Sequence, residues 1–113
     1  MGNIQYDAPL KFLTFWAING ALEKEKLLFQ LKEMKRLGFE GTVFHPRHYP
    51  NTPPYLSEEY YEIVSDAILT AKELGMEFWI YDENGWPSGR ADGKVMERLG
   101  DCLCEWLVYE EGR

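Results

Sequence analysis

Cysteine is scarce in this sequence of 113 residues. Cys102 and Cys104 are its only two, and they stand too close together to staple a fold. A reducing compartment is therefore the expectation. Long hydrophobic runs are missing as well. The longest apolar stretches hold four residues, such as Phe78 to Tyr81, whereas a spanning helix takes about 20. Met1-Gly2-Asn3-Ile4-Gln5-Tyr6 has neither the basic stretch nor the apolar core of a signal peptide. Tyr6 also stands where a myristoylation signal carries Ser or Thr. Positive charge is short too: 12 Lys and Arg against 19 Asp and Glu leave −7, without a basic cluster to neutralise phosphates. Nucleic acid and membrane are thus excluded as expected partners, and a cytoplasmic location is the default.

What is present is core-forming material. Hydrophobic residues make up 45% and aromatics 15% of the chain, too many for a disordered segment. A chain of this size is expected to form one domain over residues 1–113, burying somewhat under ~70% of its unfolded surface. A complete (β/α)8 barrel takes at least ~200 residues, so only part of one fits here.

The most informative pattern is an internal repeat. Met34-Lys35-Arg36-Leu37-Gly38-Phe39-Glu40 leads into Gly41-Thr42-Val43-Phe44-His45. Thirty-seven residues on, Ala71-Lys72-Glu73-Leu74-Gly75-Met76-Glu77 leads into Phe78-Trp79-Ile80-Tyr81-Asp82. Each unit ends a helix on Leu-Gly, turns, and runs through a short apolar strand to a polar residue. Leu27, Leu28, Leu31, Met34 and Leu37 follow the spacing of one buried helical stripe. Val64, Ala67, Ile68, Ala71 and Leu74 do the same for a second helix. Ser57 is a suitable N-cap for it, with Glu58 and Glu59 in the first turn, where the helix dipole favours negative charge. Gly38 and Gly75 suit the left-handed position beyond each helix end. Glu23, before the first helix, is a poor cap.

Phe12 to Trp16, Thr42 to Phe44 and Phe78 to Tyr81 read as continuous apolar runs, the pattern of parallel strands covered on both faces. Strand, helix, strand, helix, strand makes two right-handed βαβ units. The expected fold is therefore α/β, with about three parallel strands and connecting helices. Glu83 to Gly93 can only be a loop, and Lys94 to Leu99 fits a short helix. Cys102 to Tyr109 either continues that helix or ends in a strand through Trp106-Leu107-Val108-Tyr109.

In parallel α/β folds the working face lies at the carboxyl ends of the strands. Those ends carry Asn19 after the first strand, His45 and Arg47 after the second, and Asp82 and Glu83 after the third. The repeat places His45 and Asp82 at equivalent positions, so their side chains are expected on one face. Each of these residues could equally serve as a cap or a loop hydrogen-bonding group. Trp86 lies in a Gly- and Pro-rich loop beside carboxylates, a setting that suits the flat apolar face of a sugar, or simple packing beneath the loop. Asp82 and Glu83 can share a site only if the strand has ended before them, since neighbours on a strand point to opposite faces.

Several motifs fail on inspection, and no cofactor is expected. Gly89-Arg90-Ala91-Asp92-Gly93-Lys94-Val95 imitates a phosphate loop but is one residue short and has Val where Ser or Thr binds magnesium. Gly85 to Gly93 lacks the strand-Gly-x-Gly-helix order of a dinucleotide site. His45, His48 and Asp82 could form a metal-dependent hydrolytic centre, but Pro46 intervenes and the pattern shows no supporting shell. Cys102-Leu103-Cys104 lacks the partner ligands of a zinc site.

Phe15-Trp16-Ala17-Ile18-Asn19-Gly20, Val43-Phe44-His45-Pro46-Arg47 and above all Tyr81-Asp82-Glu83-Asn84-Gly85-Trp86-Pro87-Ser88-Gly89 resemble the start of a catalytic barrel. The barrel is that of large α-L-rhamnosidase-like glycoside hydrolases and their uncharacterised relatives. The resemblance covers roughly Pro9 to Glu111, and departs from the family at Arg90-Ala91-Asp92-Gly93. It implies that these are the first three strands of a (β/α)8 barrel, with Asn19, His45, Arg47, Asp82, Glu83 and Trp86 lining a sugar pocket. The catalytic carboxylates are expected on later strands. Carbohydrate binding without complete catalytic machinery is the leading expectation. The rival is a non-catalytic, self-associating or sugar-binding module, since open sheet edges invite a homo-oligomer or the rest of a barrel.

Overall fold

The structure, a computed structural model, describes residues 10–99. The expectations for Cys102, Cys104 and the stretch to Tyr109 lie outside the described residues. In chain order the elements are β1 (Leu13–Ile18), α1 (Lys24–Arg36), β2 (Gly41–Pro46), α2 (Glu58–Glu73), β3 (Glu77–Ile80) and α3 (Lys94–Arg98). The strands form a parallel sheet in the order β1-β2-β3. This is an α/β fold whose sheet is open among the described residues, not closed into a barrel.

The repeat has a local cause at the helix ends. Beyond α1, Gly38 N–H donates to Lys35 O and Phe39 N–H to Met34 O. Beyond α2, Gly75 N–H donates to Lys72 O and Met76 N–H to Ala71 O. Both are complete Schellman motifs, with Gly38 at φ 93° and Gly75 at φ 63°. The Ser57 hydroxyl accepts from Tyr60 N–H at the start of α2, whereas Glu23 makes no side-chain cap for α1. Each helix is therefore stopped a few residues before its strand, four for α1 and three for α2.

The core lies on one face of the sheet. Leu27 and Leu31 of α1 and Val64, Ala67 and Ala71 of α2 pack with Trp16, Ile18 and Phe44 of the strands in one cluster. An exposed ion pair between Lys24 and Asp66 (2.6 Å) links the two helices. Tyr49, Tyr55 and Tyr60 extend this core under the connection from β2 to α2, where the Tyr49 hydroxyl donates to Pro53 O. Burial pushes the Tyr49 and Tyr55 phenols up to about 12.

Burial on both faces holds for β2 alone. Five of its six residues are buried, only Val43 being intermediate. In β1 burial alternates, with Trp16 and Ile18 inside while Phe15 is 54% exposed. In β3, Trp79 and Ile80 are exposed. For Phe15 and Trp79 the reason is topological: a strand order without reversal keeps same-handed crossovers on one side, so no helix among the described residues covers the second face. Ile80, level with Phe44, lies instead on the helix side at the edge of the sheet. β1 also extends further than expected, to Ile18, because Arg47 N–H donates to Ile18 O (2.8 Å) and prolongs the ladder.

A second departure concerns register. The ladder pairs Gly41 with Glu77 and Phe44 with Ile80, a step of 36 residues, one fewer than the sequence repeat. His45 is thus level with Tyr81, not with Asp82. The expected equivalence of His45 and Asp82 does not survive in space.

Candidate functional site

The site grows from the carboxyl end of β2. His45 is the penultimate residue of that strand, on the face without helices, and is fully buried. Its cover consists of aromatic rings. Phe15 meets it edge-on at 5.0 Å between centroids, Tyr81 lies at 4.0 Å and Trp86 at 6.3 Å. Tyr81 and Trp86 are in turn edge-to-face at 5.6 Å. His45 Nε2 lies 3.4 Å from Gly85 O, while its Nδ1 is buried and has no hydrogen-bond partner among the described residues. With Nε2 carrying a proton, the ring donates to the loop carbonyl.

The loop after β3 folds over this histidine. Gly85 N–H donates to Pro46 O (2.9 Å), so the loop is tied to the end of β2 through both Gly85 backbone groups. Trp86 follows and remains 68% exposed. Its ring makes T-shaped contacts with His45 and Tyr81, and most of it faces solvent. Arg90 and Asp92 share with Trp86, Asn84 and Pro87 a small polar cavity of about 100 Å³.

Asp82 and Glu83 diverge, although β3 has ended before both. Asp82 is exposed. Glu83 is 2% exposed, and its carboxylate is fully engaged by the loop. Oε1 accepts from Asn84 N–H (3.0 Å) and Asp92 N–H (2.7 Å); Oε2 accepts from Arg90 N–H (2.8 Å) and Ala91 N–H (2.7 Å). Burial pushes this carboxyl up, but the four backbone N–H groups outweigh it and hold it below the usual 4.5. Glu83 thus lines the small cavity beside Trp86 with both carboxylate oxygens already taken by backbone amides of its own loop.

The remaining expected residues scatter. Arg47 and Asn19 are exposed just beyond β2 and β1. Asn19 lines a separate cavity of about 320 Å³ with Trp16, Glu23, Lys26 and Gln30. His48 is exposed while His45 is enclosed. Among the described residues no three His, Cys, Asp or Glu side chains are grouped to hold a metal ion. His45, Glu83 and Trp86 are thus brought together through one loop; Asn19 is not part of that cluster.

Two participants were not singled out from sequence. Tyr81 forms the closest aromatic contact of His45, through a one-residue offset in register that the sequence repeat does not display. The amides of Arg90, Ala91 and Asp92 carry no side-chain signature at all. Comparison of the chain with protein families, with curated proteins and with solved structures finds no match.

Proposed function

We propose that this chain binds carbohydrate, as the first β/α units of a glycoside-hydrolase-like barrel without complete acid–base machinery. The observation that carries this reading is the exposed Trp86 ring, braced on Tyr81 and His45 at the carboxyl ends of parallel strands. A braced indole offers a flat apolar surface to a sugar ring, and Arg90 and Asp92, which line a small cavity with it, offer hydroxyl partners. The topology is compatible with a barrel segment: three parallel strands follow in chain order, and the two connecting helices share one side. Glycoside hydrolysis needs two carboxyl groups flanking the bond. Glu83 is consumed by backbone amides, so the adjacent Asp82 and Glu83 do not form such a pair, which favours binding over turnover.

Ligand-observed NMR with L-rhamnose and other monosaccharides tests the reading. Saturation transfer to at least one sugar is expected, with Trp86→Ala weakening binding at least about tenfold, or ~1.4 kcal/mol. Aryl rhamnosides should hydrolyse no faster than in buffer. Equal binding by the variant would remove the platform from the site, and robust turnover would show that the catalytic acids lie here after all.

A second reading, self-association, is favoured by the uncovered sheet face with exposed Phe15 and Trp79, and by the outer edges of β1 and β3, unpaired among the described residues. Sedimentation should then give a mass above 13.2 kDa that rises with concentration. A monomer at every concentration would reject it.

A further inference from the structure

We propose that Glu83 is a positioning residue: its carboxylate fills an anion-binding nest of backbone amides, closes the loop from Glu83 to Asp92, and thereby sets the Trp86 ring. Both ends of this loop meet at one side chain. Asn84 N–H approaches from the start, and Arg90, Ala91 and Asp92 N–H converge from the end, all within 2.7–3.0 Å of the two oxygens. Ala91 (φ 48°) and Asp92 (φ 54°) are consecutive non-glycine residues in the left-handed region. That conformation is unfavourable for each, and it turns their amides towards a common point, as in nests that hold phosphate or carboxylate. Here the anion is supplied by the chain itself.

The hydrogen bonds explain why the charge is tolerated at 2% exposure. Among the described residues no Lys, Arg or His side chain pairs with the carboxylate; four amide dipoles take their place. Between the two ends of the closed loop lie Gly85, tied to Pro46 and His45, and Trp86 itself. Two anchors, one at each side of the indole, thus define its position. Without the carboxylate the four amides lose their acceptor, the left-handed pair loses its compensation, and only the Gly85 anchor remains.

This inference rests on the carbohydrate reading for what Trp86 binds, but not for how the loop is held. The test therefore reads the two separately, by amide exchange in NMR and by monosaccharide binding, on the full chain. In Glu83→Ala, exchange at Asn84, Arg90, Ala91 and Asp92 is expected to accelerate at least about tenfold, while amides of β2 keep their protection. Sodium formate should restore the four signals by occupying the vacated nest, and sodium chloride at equal ionic strength should not. Glu83→Gln, which keeps the shape and loses the charge, should show the same loss without rescue. L-rhamnose binding should weaken together with the amide protection and return with formate. Unchanged exchange in Glu83→Gln, or formate and chloride acting alike on Glu83→Ala, would overturn the proposal. If the unaltered chain binds no monosaccharide, the carbohydrate reading fails while the amide signals still decide the role of Glu83.

Discussion

Phe44→Ala is expected to lower the unfolding free energy by about 3–5 kcal/mol, a large share of the ~5–15 kcal/mol that holds a domain together. Phe44 is wholly buried at the middle of the central strand. Its ring stacks on Phe78 (5.7 Å between centroids) and meets Trp16 edge-to-face (5.6 Å), so it joins β1, β2 and β3 beneath the two helices. The void left by truncation would be lined by side chains from all three strands and could not collapse without moving the ladder. Urea denaturation should show a lower midpoint at similar slope. Phe29→Ala is the matched control, because that ring on α1 is 64% exposed and should change stability by less than about 0.5 kcal/mol. A difference between the two variants below about 1 kcal/mol would mean that Phe44 is not the hub of this core.

Gly41→Ala is the second large effect, and it acts through space rather than backbone freedom. Gly41 opens β2 between Leu13 and Glu77 in the ladder. A Cβ there would stand 2.8 Å from Glu77 Cβ, 2.8 Å from the Glu77 carbonyl oxygen and 3.1 Å from Leu13 Cγ. The carbonyl belongs to the backbone of β3 and cannot swing aside like a side chain. Adjustment must pry β3 from β2, and the Glu77 carboxylate would be displaced from Lys11 and from the Trp79 indole N–H, which donates to it at 3.1 Å. Overpacking of this kind costs typically ~1–3 kcal/mol for one methyl group, and Gly41→Val should cost more. Gly20→Ala meets nothing within 4 Å and should be close to neutral. Equal thermal midpoints for Gly41→Ala and Gly20→Ala would refute the spatial argument.

These effects bear on which parts of the molecule could be read in advance. The helix ends were legible because a Schellman turn is local: Leu37-Gly38 and Leu74-Gly75 need only their own backbone to close. Ser57 was legible as a cap for the same reason. The α/β class followed from the alternation of such local units. His45 and Trp86 were recognisable as residues placed near strand ends. Their contact was not, since it depends on a ladder that runs one residue out of step with the repeat.

Glu83 marks the limit of a sequence reading. An acidic residue beside another at a strand end looks like half of a catalytic pair, and nothing local distinguishes it from one. Its role depends on amides seven to nine residues away, which have no side-chain identity to display. Likewise, apolar composition could not show that β1 and β3 leave one face uncovered, because coverage is a property of the helices' placement rather than of the strands.

By itself, then, the sequence determined the βαβαβ order, the points where the helices stop, and the polar and aromatic content of the strand ends. These are set by backbone propensity and short-range hydrogen bonds, which act over a few residues. Tertiary structure alone decided that His45 lies under Tyr81 and Trp86, that Glu83 serves its own loop, and that a side chain at Gly41 would collide with β3. Each of those depends on atoms distant in sequence meeting at fixed spacing, and only the packed sheet supplies that spacing.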